Sequence, residues 1–309
     1  MAADRQPRGT AFALRDAFPW PTFSGLARAG ESLGYRAVFL PEIGGRDAFA
    51  ALVGLAGETS ALLLGTGIVP MTSRASRVTA MGAATVHERS GARAILGLGT
   101  GPAGTGALDA LEAQVGELRE LLRPGGDLSL SLPSPVPIWI SALGPRSVAL
   151  AGRIADGVLL NWCTPERVAQ ARDAVREAAD AAGRDPGAIT IAAYVRGSLG
   201  GDPAAGLAAL RAAAGESASF PAYARQFAAM GLGAEADAAA TACRAGAPRE
   251  VPEGFVRAVC LPDDAGAARA RLDAYREAGA DLPVVYPVAT REDPAGSVEA
   301  TLRAVAPAP

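Results

Sequence analysis

The sequence contains no lysine, so all 29 of its basic residues are arginine. That absence excludes Schiff-base catalysis and leaves any bound anion to Arg, backbone N–H groups or hydroxyls. Histidine occurs once, as His87, which removes the basis for a metal site or a Ser-His-Asp hydrolase. The three cysteines, Cys163, Cys243 and Cys260, are odd in number and widely spaced, which argues against a disulfide framework and against zinc. No apolar run reaches the roughly 18 residues of a spanning helix, and the first residues lack the apolar stretch of a signal peptide. No membrane segment and a cytoplasmic location are therefore expected. Charge of one sign is also scarce: 29 basic against 32 acidic residues give −3, no basic cluster stands out, and no nucleic-acid partner is expected.

What is present is a hydrophobic half of the chain, rich in alanine, as suits helices packed on a sheet. Its 309 residues fit one α/β barrel. The run Ser60-Ala-Leu-Leu-Leu-Gly-Thr-Gly-Ile-Val-Pro70 reads as a buried strand that breaks into glycine, and Arg93-Ala-Ile-Leu-Gly-Leu-Gly-Thr-Gly-Pro102 ends in the same way after a helix at 74–90. Two strands ending in Gly-Thr-Gly around one crossover helix describe a parallel sheet whose ends allow close approach of a ligand.

The same alternation continues along the chain. Strands are expected at 10–14, 35–41, 136–142, 157–161, 189–195 and 282–286, with a short accessory strand at 128–132. Helices are expected from a cap at Thr22 to Gly34, at 47–58, 107–122, from Pro145, after the Thr164-Pro165 cap, at 264–278 and at 297–305. An alanine-rich region at about 202–246 exceeds one crossover and reads as two or three extra helices. Eight strands alternating with helices predict a single (β/α)₈ barrel domain over residues 1–309.

In such a barrel the chemistry sits at the C-terminal strand ends, so candidates come from there. They include Glu42, the glycine-rich ends at 65–70 and 97–101, residues 141–147, Asn161 and Trp162, Tyr194 and Arg196, and Tyr286. Ala142-Leu-Gly-Pro-Arg-Ser147 is either an anion site at a helix start or an ordinary turn with Gly144 at positive φ. Glu42 either positions a ligand or forms an ion pair with Arg46. Gly99-Thr-Gly-Pro-Ala-Gly104 matches G-x-G-x-x-G, but no second strand ending in an acid follows it, so a Rossmann unit is not indicated. Cys163 has no neighbouring base and reads as a small apolar residue.

Ala29-Gly-Glu-Ser-Leu-Gly-Tyr-Arg-Ala-Val-Phe-Leu-Pro-Glu42, Gly45-Arg-Asp-Ala48, Leu64-Gly-Thr-Gly-Ile-Val-Pro70, Leu96-Gly-Leu-Gly-Thr-Gly101, Pro137-Ile-Trp-Ile-Ser-Ala-Leu-Gly-Pro-Arg146, Ala151-Gly-Arg-Ile-Ala-Asp-Gly157 and Ala182-Gly-Arg-Asp-Pro186 follow one another in order. Together they resemble the luciferase-like monooxygenases, in particular the branch dependent on the deazaflavin coenzyme F420. The resemblance implies a (β/α)₈ oxidoreductase exchanging a hydride between F420 and a small organic substrate, with a homodimer as its assembly. It also implies a bulge with a non-prolyl cis peptide, mapped to Gly67–Ile68, that backs the cofactor ring together with Gly99, Thr100 and Gly101. The cofactor's phosphate-bearing tail then lies at Ala142, Leu143, Gly144, Pro145, Arg146 and Ser147, with Asn161 nearby and Glu42 as the candidate catalytic residue.

Two alternatives remain at this level: an FMN-dependent monooxygenase on the same fold, and a cofactor-free barrel with a binding role. The chain departs from the F420-dependent sugar-phosphate dehydrogenases in having Ile43 after the strand-two acid and Pro102 after the strand-four Gly-Thr-Gly, so that activity is not expected. Only a few residues separate Gly101 from Ala107, where the family inserts a long loop.

Overall fold

The computed structural model describes residues 7–15, 17–101 and 104–307. The N-terminal residues 1–6 and Pro102, on which expectations also fell, lie outside the described residues. The strands are β1 (Ala11–Ala13), β2 (Ala37–Leu40), β3 (Leu63–Thr66), β4 (Val69–Pro70), β5 (Ala94–Gly99), β6 (Ile138–Ala142), β7 (Gly157–Asn161), β8 (Thr190–Gly197) and β9 (Leu282–Pro287). The helices are α1 (Trp20–Ser32), α2 (Ala48–Glu58), α3 (Ser76–Arg89), α4 (Ala107–Leu122), α5 (Pro145–Ile154), α6 (Pro165–Ala181), α7 (Pro203–Ala218), α8 (Pro221–Ala229), α9 (Gly233–Arg244), α10 (Glu253–Val259), α11 (Ala265–Glu277) and α12 (Pro294–Ala304). None is long and apolar enough to cross a membrane, among the described residues.

The pairings among the named strands are parallel in the order β3-β2-β1-β9-β8-β7-β6-β5-β4, and a β3–β5 pairing closes the sheet on itself. The closed sheet is the expected eight-stave barrel, because β3 and β4 are one stave interrupted at Gly67–Ile68, where the peptide bond is cis. Strands buried on both faces need apolar residues throughout, as in Ala-Val-Phe-Leu of β2 and Gly-Val-Leu-Leu of β7. Phe39, Trp139, Leu159, Tyr194, Leu282 and Val284 fill the barrel interior. A second, larger core lies between the barrel and the surrounding helices, and a third, around Phe227 and Phe255, is built by α7 to α10 with Trp162.

Several boundaries differ from expectation. The accessory strand at 128–132 is absent: each barrel stave already has two neighbours, so the segment has no edge to join. It is tied down otherwise, with Arg77 of α3 donating to the Asp127 carboxylate at 3.0 Å and Leu132 buried. α1 starts at Trp20 rather than after Thr22, with Pro21 in its first turn where the missing N–H is harmless. α12 starts at Pro294, capped by Asp293, whose carboxylate accepts from Gly296 N at 3.0 Å. The extra helical region extends beyond 246 to include α10, a seven-residue helix that buries Phe255, Val256 and Val259.

The face opposite the strand ends is fastened by side chains. Glu31 of α1 accepts hydrogen bonds from the N–H groups of Ser60, Ala61 and Leu62 at 2.9, 2.6 and 3.0 Å, fixing the entry to β3. Burial pushes its carboxyl up, but these three N–H groups and Arg93 outweigh that and hold it below the ordinary carboxylate value. A depressed pKa contributes stability above the unfolded-state value of about 4.3 and loses it as pH falls through the folded value. Glu31→Gln is therefore expected to lower stability near pH 7 by about 1 kcal/mol, with the gap to wild type closing below about pH 4 in denaturant titrations.

Candidate active site

At the C-terminal strand ends the interrupted stave is the central feature. Gly67 N donates to Leu40 O at 2.8 Å, Glu42 N to Ile68 O at 3.1 Å and Met71 N to Gly99 O at 2.8 Å, so the bulge is strapped to its neighbours on both sides. A Cβ on Gly99 would come within 2.6 Å of Ser141 Oγ and 2.7 Å of Ile68 Cδ1. Glycine at this position lets the ends of β4, β5 and β6 meet. Gly101 turns with φ +61° beneath Pro70, and the Thr100 hydroxyl donates to Gly101 O at 3.2 Å. The fold thus brings Gly67, Ile68, Gly99, Thr100 and Gly101 to one side of the barrel mouth.

Inward positions on β8 climb from packed interior to mouth with the two-residue period of a strand: Ala192, Tyr194, Arg196. Tyr194 is buried, its hydroxyl abuts Gly67, and it has no hydrogen-bond partner among the described residues. Burial drives its pKa well above the ordinary phenol value, so the hydroxyl stays a proton donor. Arg196 lies over the rings of Trp162, at 3.8 Å from the centroid, and Tyr286, at 4.7 Å.

The expected tail site opens at the start of α5. Ser147 Oγ accepts from Leu143 N at 3.1 Å and donates to Gly144 O at 2.9 Å, drawing the turn after Ala142 tight. Gly144 has φ −89°, which any residue adopts, so the positive-φ explanation for this glycine falls. A Cβ there would meet no atom within 4 Å. The first turn of α5 has no side-chain cap, Pro145 and Arg146 are exposed, and Arg167 of α6 donates to Leu143 O at 2.8 Å. Open N–H groups with Arg146 and Arg167 alongside suit a phosphate or carboxylate. Sequence reading missed Arg167, whose only signal is its place in the first turn of the next helix.

Asn161 is the hub of a hydrogen-bond network at the end of β7. Its Oδ1 accepts from Arg196 Nη1 at 2.6 Å, its Nδ2 donates to the Tyr223 hydroxyl at 2.7 Å, and its carbonyl accepts from Gln226 Nε2 at 2.6 Å. Tyr223 and Gln226, both on α8 and three residues apart, were also missed, their only signal being an aromatic and a polar residue within an alanine-rich helix. Trp162 adopts φ +51°, an uncommon backbone for a bulky residue, and packs edge-on against Phe227. Cys163 beside it is buried, which pushes its thiol up to about 12, so it is inert as expected. His87 is buried in α3, its Nε2 3.1 Å from Ser134 Oγ and remote from the strand ends.

The Glu42 carboxylate is held by Arg74, at 2.5 Å from Nη2, with Ser73 Oγ and Ala48 N also donating to it. Its ion-pair partner is thus Arg74 and not the expected Arg46, which donates to Phe18 O and lies over Trp20 and Phe23. Next to Arg196 and Tyr286 opens a cleft of about 480 Å³, reaching Leu14 and Phe18 after β1 and Phe220 after α7.

Comparison with known proteins agrees with this architecture. Residues 3–282 match the family described as luciferase-like monooxygenase. A 5,10-methylenetetrahydromethanopterin reductase of Methanolobus tindarius is 30% identical over 58% of this chain and 61% of its own. A phthiodiolone/phenolphthiodiolone dimycocerosates ketoreductase of Mycobacterium tuberculosis is 36% identical over 55% of this chain and 52% of its own. The chain thus spans between half and two thirds of these relatives. Among solved structures, the coenzyme F420 dependent tetrahydromethanopterin reductase of Methanopyrus kandleri superposes with a TM-score of 0.77 at 20% identity, covering 97% of this chain and 99% of that one.

Proposed function

Because the chain belongs to the luciferase-like monooxygenase family, we propose that it is an oxidoreductase that uses coenzyme F420 to exchange a hydride with a small organic substrate. The observation that carries this reading is the uncapped, open start of α5 flanked by Arg146 and Arg167, on the same mouth as the glycine-lined bulge. The site fits the group: Gly144 leaves room for an anionic tail, and the unpartnered Tyr194 hydroxyl beside Gly67 offers a polar contact within an otherwise apolar floor. The coenzyme F420 dependence of the tetrahydromethanopterin reductase that shares this fold supports the choice of F420. When bound, F420 supplies a hydride donor or acceptor at C5 of its deazaflavin.

The chain's own residues have distinct roles in this reading. Arg146, Arg167 and the first N–H groups of α5 bind the tail. Gly67, Ile68 and Gly99 to Gly101 shape the surface for the ring. Tyr194, held protonated by burial, is a hydrogen-bond donor at that surface. Glu42, neutralised by Arg74, orders the loop after β2 and so positions rather than reacts.

Fluorescence titration of the purified protein with F420 and separately with FMN tests this. Binding of F420 well below 10 μM, weaker by tenfold or more in Arg146→Ala/Arg167→Ala and weakened by salt, is the expected result. Binding of FMN alone would move the protein to the oxygen-using monooxygenases that give the family its name. Binding of neither at tens of micromolar would overturn the reading and leave a barrel with a binding role.

A further inference from the structure

Among the described residues Arg196 is a cation without a carboxylate. Nη1 donates to Asn161 Oδ1, and among the described residues no acidic side chain forms an ion pair with it. Trp162 and Tyr286 lie against the guanidinium, and its backbone is pinned by Leu261 N donating to Arg196 O at 2.7 Å. An arginine so placed is oriented before any ligand arrives, with N–H edges left for one. Withdrawing that charge from water is costly, and aromatic faces return only part of the cost. A carboxylate, planar and matched to the guanidinium fork, completes the compensation.

The cleft that Arg196 lines, about 480 Å³, is of small-molecule size. Beyond the arginine much of its surface is apolar: Leu14, Phe18, Val288 and Val298, with Ile43 and Phe220 at 64% and 54% exposure on the rim. Two rim charges of opposite sign, Arg15 and Glu216, are exposed and leave the half-buried Arg196 to set the polarity of the interior. Exposed large apolar side chains around an apolar cleft mark a surface for an apolar body.

We infer that this cleft takes a small carboxylic acid with an apolar body, its carboxylate paired with Arg196 and its hydrocarbon part against Leu14, Phe18 and Val288. That the acid is the substrate rests on the oxidoreductase reading, whereas its binding is measurable alone. Tyr286 touches both Arg196 and Tyr194, at 4.7 Å and 5.9 Å between centres, so the anchored acid projects toward the floor formed at Gly67.

Calorimetric titration of the whole protein with phenylacetate and with its neutral isostere phenylacetamide tests the inference. Phenylacetate is expected to bind at least tenfold more tightly than the amide. Arg196→Met is expected to abolish that preference, and Arg196→Lys, which keeps the charge, to retain part of it. Parallel F420 titrations of the same proteins separate the two readings. Carboxylate preference without F420 binding leaves the cleft assignment standing and removes the cofactor. F420 binding with equal or absent affinity for the two probes overturns the cleft assignment alone. Loss of F420 affinity together with phenylacetate affinity in folded Arg196→Met gives the arginine to the cofactor's own anionic tail and also overturns it. Should Arg196→Met not fold, the wild-type comparison and Arg196→Lys decide.

Discussion

Replacing Thr66 by valine is expected to destabilise the barrel by about 2–4 kcal/mol, although the two side chains have nearly the same shape. The reason lies in the interruption between β3 and β4. β5 pairs with β3 through Ala94 and Ile95 and with β4 through Leu98 and Gly99, which leaves Gly97 opposite the bulge. The Thr66 hydroxyl takes the place of the missing ladder: Oγ1 accepts from Gly97 N and donates to Gly97 O, both at 2.8 Å, and the residue is fully buried. Valine leaves a buried N–H and a buried C=O unpaired, each costing about 1–3 kcal/mol. Thr66→Ser should recover most of the loss because it restores the hydroxyl. Guanidinium unfolding of the three proteins reads the difference directly, provided the slope is unchanged. A valine variant within 0.5 kcal/mol of wild type would show that the hydroxyl does not substitute for the ladder. Gly97→Ala is the companion: its Cβ would collide with the Thr66 carbonyl, which is backbone and cannot swing away.

The barrel was legible because its signals are local. β7 at Gly157–Asn161 and α4 at Ala107–Leu122 fall where the apolar run and the leucine stripe place them, since a strand buried on both faces and a helix buried on one leave different periods. The accessory strand at 128–132 failed because strand propensity says nothing about a free edge, and closure of the sheet had removed every edge. Glycine was the most informative residue at the strand ends. At Gly67, Gly97 and Gly99 the space of a Cβ is occupied by Tyr194, Thr66 and Ser141 or Ile68, so any side chain there must displace its neighbour.

What escaped the sequence is non-local. Arg74 meets Glu42 across 32 positions, while Arg46, near in sequence, turns to Phe18, Trp20 and Phe23. Tyr223 and Gln226 reach Asn161 only because α8 docks over the end of β7, and its docking depends on the core around Phe227 and Phe255. That core also holds Trp162, whose ring faces Arg196. The extra helices are therefore more than an enlarged crossover: they build one wall of the mouth.

Gly67→Ala is expected to cost about 2–3 kcal/mol and Tyr194→Phe to be neutral or stabilising by up to about 1 kcal/mol, with the double variant more stable than the sum of the two predicts. A Cβ on Gly67 would collide with the Tyr194 hydroxyl and come within 3.0 Å of Phe39 Cβ, so alanine must displace the ring of Tyr194. That ring cannot yield freely, because Phe39 at 6.2 Å and Tyr286 at 5.9 Å pack edge-on against it. Phenylalanine at 194 removes the atom nearest the new methyl and leaves Cζ at 3.3 Å, a contact relieved by a few tenths of an ångström. It also removes a buried hydroxyl with no partner among the described residues, which explains why the single change should not destabilise. A coupling energy of about 1 kcal/mol or more in the double-mutant cycle is the expected result, and additivity within 0.3 kcal/mol would mean the two residues do not share this space. The F420 titration gives the pair a second readout. If the Tyr194 hydroxyl is kept unpaired for a ligand, Tyr194→Phe gains stability and loses F420 affinity together, a combination that a purely structural tyrosine would not produce.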